Sequence, residues 1–280
     1  MNSEDLPLED ALRQLINRGE IEVPMLPEVA NKALLLAQNP ESDATEMAKL
    51  IQGDQSLAGH VMRIANSVAY TPLSNLVSLQ QAVARLGMTI ISEIALAAAI
   101  GAKMFNTPGY EDYVVDVWQH ALATSLWSKE VARHCRSNVE VAFLAGLLHS
   151  IGRSAVLQTI LDLANKRNIS LTAEEVHQLE NSYWHQVSQA VVHKWQMPAL
   201  VVEAVCAYTD YNSALTAGTK ATHVVVGSRF ATQMLTPEKL DKETLFALPV
   251  LSKLNLYQED VEKIFEQTEM VKERLEGLSS

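Results

Sequence analysis

From Pro27 to Gln38 the apolar side chains Val29, Ala33, Leu36 and Ala37 fall at i, i+4, i+7 and i+8, one face of a helix. The same period returns along most of the chain. In SDATEMAKLIQGD, Ser42 or Asp43 caps a helix with Thr45 and Glu46 in its first turn, Met47, Leu50 and Ile51 on its inner face, and Gly53 as its stop. Asp54 caps the next, which carries Leu57, Val61, Ile64, Ala65 and Val68. After Ala82, Val83, Leu86 and a glycine, the stretch to Phe105 is apolar nearly all round, which predicts a buried helix. Pro108-Gly109 marks a break. Two long helices follow, DVWQHALATSLWSKEVARHC and VEVAFLAGLLHSIG. Thr172 with Glu174 and Glu175 starts another, and Pro198 opens PALVVEAVCAY. HVVVG could be a short strand, but its flanks continue at helical spacing, so it is assigned to a helix. QEDVEKIFEQTEMVKERL reads as one charged amphipathic helix docked on the body. No stretch shows strand alternation bounded by turns. The expected fold is all-α and multi-helical, with an N-terminal helical lobe over 1–107 and a second helical lobe over 108–280.

Composition agrees with a folded helical chain: of 280 residues, 48% are hydrophobic and 20% charged, with only 11 glycines and 9 prolines. The net charge of -11 argues against broad binding to nucleic acid or to an anionic membrane surface. Cys135 and Cys206 make no disulfide framework for a chain of this size and are read as reduced packing thiols. The acidic start has no apolar run of a signal peptide, and Ile94–Ala102 is too short to span a bilayer. A cytoplasmic protein is expected.

Candidate chemistry lies in the histidines. Of eight, His120, His149 and His185 stand on or at the ends of apolar helices, where a desolvated imidazole needs a partner. No phosphate-binding glycine loop and no GxSxG nucleophile motif occurs.

A histidine on one helix, followed by LLH, one more residue and IG, resembles the layout of the HD superfamily of metal-dependent phosphohydrolases. There, a histidine–aspartate pair and further histidines and an aspartate hold a divalent metal that activates water. This chain has Ser150 where the aspartate would stand. A neutral hydroxyl lacks the charge that hard metals such as Mg, Mn or Fe rely on. The chain is more similar still to the HDOD family, the HD-related output domains of bacterial signalling proteins. The resemblance rests on Asp54, Ser56, Leu57, Arg63, Ala65, Asn66, Ser67 and Tyr70, on SLQQAVARLGMTII, on AFLAGLLHSIGR, and on Trp195 with Pro198. It covers about residues 20–215.

The resemblance implies an HD-like helical bundle. It places His120 at the first histidine of the HD pattern, His149 at the histidine of the pair, and His185 as a candidate for a later one. Tyr208 stands where a later histidine pair often lies, and Asp210 is a candidate substitute carboxylate. It further implies a regulatory, non-catalytic module without cofactor that meets signalling proteins in trans, since no receiver or cyclic-dinucleotide enzyme domain is recognisable in the chain. Arg63, Asn66, Ser67 and Tyr70 are the candidate partner surface, with helix capping as their alternative role. The alternative function is a phosphohydrolase with a metal such as Mn, Fe or Mg on His120, His149 and His185, or a small-ligand or nucleotide sensor in the same cleft.

Overall fold

The computed structural model describes residues 6–71, 76–101, 104–212 and 218–279, and every regular element among them is helical. The first group comprises α1 (Leu8–Arg18), α2 (Glu28–Gln38), α3 (Ala44–Gln52), α4 (Gln55–Ala65), α5 (Leu79–Leu86) and α6 (Met88–Ile100). Their starts follow side-chain chemistry. Asp43 accepts from the amides of Thr45 and Glu46 and completes a capping box with Glu46, and Asp54 accepts from Leu57 N. Between α5 and α6 the chain turns by 117° at Gly87, whose φ of +84° suits glycine. The apolar α6 is then enclosed by α2, α4 and α5.

α1 is not among the predicted helices, although it carries an apolar stripe of Leu8, Ala11, Leu12, Leu15 and Ile16 at helical spacing, and it docks far along the chain, on α9 (Gly152–Lys166) and α10 (Ala173–Lys194). Arg13 Nε donates to the Tyr183 hydroxyl at 3.1 Å, which donates to Glu9, and the indole of Trp195 donates to the Pro24 carbonyl at 3.0 Å.

The second group is built around α7 (Glu111–His134), with α8 (Val139–Leu148) on one flank and α12 (Gly218–Leu235) on another. HVVVG lies within α12, as the helical assignment expects. α11 (Ala199–Cys206) touches α8, α10 and α12. The run VEVAFLAGLLHSIG is not one helix: α8 stops at Leu148, and α9 starts at Gly152 after a turn. The pieces Val139–Lys166 together are long and apolar enough to cross a membrane, but 83% of their most apolar stretch is buried inside the protein. After α13 (Lys242–Phe246) and α14 (Pro249–Lys253), the charged tail forms α15 (Gln258–Phe265) and α16 (Thr268–Ser279) rather than one helix. The break lets Phe265 pack on Trp127 and Phe230, at ring separations of 5.3 and 4.6 Å, while α16 lies across α7 and α6.

One ion pair joins the two groups inside the core. Lys129 on α7 donates to both carboxylate oxygens of Glu93 on α6, at 2.7 and 2.6 Å, and its ammonium sits 5.4 Å from the Phe143 ring. Both side chains are buried. Burial holds the Glu93 carboxyl above its ordinary range against the pull of Lys129.

Candidate functional site

α7, the α8–α9 turn, α10, the end of α11 and α12 surround a cleft of about 490 Å³. It brings together four of the predicted positions: His120, His149, Ser150 and Tyr208. The His120 and His149 rings lie 6.2 Å apart, and Tyr208 packs 4.8 Å from His149. His185 is not in the cleft wall. It stands 5.4 Å from Trp184, which is, and turns to the backbone of α11. Asp210 lies exposed outside the lining.

The hydrogen bonds define what each imidazole can do. His149 follows the last residue of α8, and its Nδ1–H donates to the Gly146 carbonyl at 2.7 Å, satisfying an acceptor left free at the helix end. Thr232 Oγ1 donates to the Ser228 carbonyl at 2.9 Å, so the 3.0 Å contact with His120 Nε2 must have the imidazole as donor. His185 Nε2–H donates to Val205 O at 3.0 Å, while Thr209 donates to its Nδ1. Burial lowers His120 to about 4 and His149 to about 3, helped in the first by Arg153 and in the second by His120. Both rings are therefore neutral at neutral pH.

These donors do not fit the divalent metal of HD enzymes. Two of the three Nε2 atoms carry hydrogens bonded to protein oxygens, Ser150 supplies no charge, and among the described residues no three His, Cys, Asp or Glu side chains converge as a metal site would need.

Several cleft residues had no place in the sequence reading. Arg153, in the first turn of α9, donates through Nη1 to Glu180 at 2.7 Å and to Asn181 at 3.1 Å, and its guanidinium lies 4.7 Å from the Trp184 ring. Glu180 is fully buried, accepts also from the Tyr113 hydroxyl, and contacts His177. Arg229 and Lys239 also line the cleft. The only sequence signal for these was HSIGR, where Arg153 stands one helical turn past His149; Arg229 and Lys239 come from a distant part of the chain with no motif.

The glycine of HSIG has a packing reason. A Cβ built on Gly152 would lie 2.1 Å from the Trp184 carbonyl and 2.4 Å from Ser188 N, and Ser188 Oγ accepts from the Gly152 amide at 2.9 Å. α9 and α10 thus meet backbone to backbone, which holds Arg153 beside Trp184. Gly152→Ala is expected to cost about 3 kcal/mol by forcing these helices apart. Urea unfolding should show the loss, and a change below about 1 kcal/mol would contradict the packing account.

The candidate partner surface is placed unevenly. Arg63 is exposed on α4. Asn66 bridges Leu76, donating to its carbonyl at 3.0 Å and accepting from its amide at 2.7 Å. Ser67 Oγ is buried beside Gly277 of α16. Tyr70 packs under the Arg274 guanidinium at 5.7 Å, and burial pushes its hydroxyl well above the ordinary tyrosine range. Three of the four therefore face inward. Val68 and Val77, 69% and 76% exposed, are outward apolar residues of this region.

Comparisons with known proteins follow the same lines. A crystal structure of a Shewanella amazonensis SB2B protein, provisionally named a metal-dependent phosphohydrolase, is 20% identical and covers 98% of this chain and 100% of its own, with a TM-score of 0.73. An HDOD domain protein of unknown function from Geobacter sulfurreducens is 17% identical over 96% of this chain and 97% of its own, with a TM-score of 0.71. A Marinobacter aquaeolei VT8 protein, provisionally named for signal transduction, is 21% identical over 100% of this chain and 68% of its own, with a TM-score of 0.66. These likenesses speak to the fold and not to activity. An uncharacterised protein of Treponema pallidum is 20% identical over 194 residues, which is 66% of this chain but 37% of that protein, so the chain spans little more than a third of this relative. The HDOD domain model matches residues 23–211, two thirds of the sequence and the whole wall of the cleft up to Tyr208, and the chain belongs to the HDOD family.

Proposed function

We infer that this chain is a cytoplasmic regulatory module of a bacterial signalling system, without phosphohydrolase activity, that acts by binding other signalling proteins. The observation that carries the reading is the state of the HD positions. Ser150 replaces the metal-binding acid, and the imidazoles of His120 and His185 donate from Nε2 to protein oxygens. A hydrolytic site of this type needs a charged ligand set holding a metal-activated water. Here the same positions are hydrogen-bonded as parts of a helical scaffold. Membership in the HDOD family and the likeness to a protein named for signal transduction support the regulatory role.

The test joins metal analysis of the purified protein to turnover of bis(p-nitrophenyl) phosphate with added Mn²⁺. The expected result is no stoichiometric Mn, Fe or Zn and no turnover above the blank. Stoichiometric metal, with turnover abolished in His149→Ala, would overturn the reading in favour of a remodelled phosphohydrolase.

A further inference from the structure

The cleft holds a charge arrangement that the regulatory reading does not use. On a chain of net charge -11, the cleft is lined by three basic side chains, Arg153, Arg229 and Lys239, and by one acidic one, Asp116. Arg229 and Lys239 make no ion pair among the described residues. Arg153 donates through Nη1 to Glu180 and Asn181 and also reaches the Tyr113 hydroxyl, and its side chain lines the cleft. All three cations disfavour protonation of His120, which places them around one region of the cleft. They come from three separate segments: the start of α9, the middle of α12 and the turn after it.

The rest of the lining is neutral and partly aromatic. Trp184 and Tyr208 pack with ring centres 6.0 Å apart, and the buried imidazoles stay uncharged. The volume of about 490 Å³ lies within the range of about 300–1,000 Å³ typical of small-molecule sites, and is far too confined for a macromolecular surface. Guanidinium groups are suited to phosphoryl oxygens, while aromatic rings suit an organic body.

We propose that the cleft is a binding site for a small organic phosphate, held by Arg153, Arg229 and Lys239 at its phosphoryl group and by Trp184 and Tyr208 at its organic body. Glu180 acts as the positioning residue: it anchors Arg153 at the wall of the cleft. No metal takes part, so the site works in a chelator. The ligand would then be an input to the module, since any molecule that binds the folded state alone stabilises it.

The experiment is calorimetric titration of the full chain in EDTA with adenosine 5′-monophosphate, ribose 5-phosphate, inorganic phosphate and adenosine. The expected order is adenosine 5′-monophosphate and ribose 5-phosphate ahead of inorganic phosphate by at least about tenfold, with adenosine weakest. Affinity should fall with added salt, and Arg229→Gln/Lys239→Gln should weaken the phosphates at least about tenfold. Both side chains are exposed, so this variant should keep the wild-type melting temperature, which separates lost binding from lost folding. Trp184→Leu should reduce the advantage of the organic phosphates over inorganic phosphate. Absence of binding by every probe at millimolar concentration, or unchanged affinity in the Arg229→Gln/Lys239→Gln protein, would overturn the proposal. Inorganic phosphate binding as tightly as the organic phosphates would overturn its aromatic half. Because the titration excludes metal, its failure and the failure of the regulatory reading are read from different experiments.

Discussion

Glu93→Gln is expected to destabilise the protein by about 3–5 kcal/mol, because it leaves the Lys129 ammonium buried without its carboxylate. The two charges lie between α6 and α7, 2.6 Å apart, with each side chain less than a tenth exposed. The phenyl ring of Phe143 gives the ammonium some relief at 5.4 Å, but far less than a carboxylate. Lys129→Met should cost less, since burial already raises the Glu93 carboxyl and it can take up a proton instead of staying charged. The double variant Glu93→Leu/Lys129→Met should recover most of the loss, because it removes both desolvated charges and fills the space with apolar groups. Urea unfolding of the four proteins completes the cycle. Single variants within about 1 kcal/mol of the wild type would show that the pair does not hold the two groups of helices together.

Acid should weaken the fold before the capping carboxylates titrate. His120 and His149 remain neutral in the folded protein, at about 4 and about 3, while the unfolded chain protonates them around 6.5. The unfolded state therefore binds more protons as pH falls, and stability declines from about pH 6.5 downward. At pH 5 each imidazole accounts for about 2 kcal/mol, so the pair accounts for about 4 kcal/mol relative to pH 7. The capping carboxylates of Asp43, Glu175, Asp241 and Asp260 are held below their ordinary ranges, so their contribution is present in this window and is lost only at lower pH. Unfolding free energies measured between pH 7 and 5 should show this slope, and His149→Asn should remove about half of it. A loss below about 1 kcal/mol at pH 5 would mean that the two rings are solvated or charged in the folded state.

The acid response bears on the proposed role. A neutral, hydrogen-bonded His120 and His149 make the floor of the cleft a rigid polar surface rather than a metal-binding site. Arg153, Arg229 and Lys239 then supply the charge that the cleft would offer a ligand. Gly152 couples these features, since the contact of α9 with α10 fixes the spacing between Arg153 and Trp184.

Much of the helical content was legible in the sequence because it depends on neighbours three and four residues apart. The cap at Asp54, the capping box begun by Thr172 and the helix around HVVVG follow from local chemistry that the fold leaves intact. The HD positions were legible for the same reason: LLHSIG keeps its spacing whatever surrounds it. Breaks inside apolar runs were not legible. The end of α8 at Leu148 depends on His149 reaching back to Gly146, and the split of α15 from α16 depends on Phe265 finding Trp127. The pairing of Glu93, which directly precedes the apolar run Ile94–Ala102, was not legible either, because its partner lies 36 residues away on another helix.

By itself the sequence determined the all-α class, the main helices, and the replacement of the HD acid by Ser150, since each is a matter of residue identity or of short spacing. Only the tertiary structure decided that α1 docks on α9 and α10, that His185 turns from the cleft to the Val205 carbonyl, and that Arg229 and Lys239 come to face Arg153. These depend on how helices far apart in the chain pack, and packing is set by the shape and burial of whole surfaces, which no local period records.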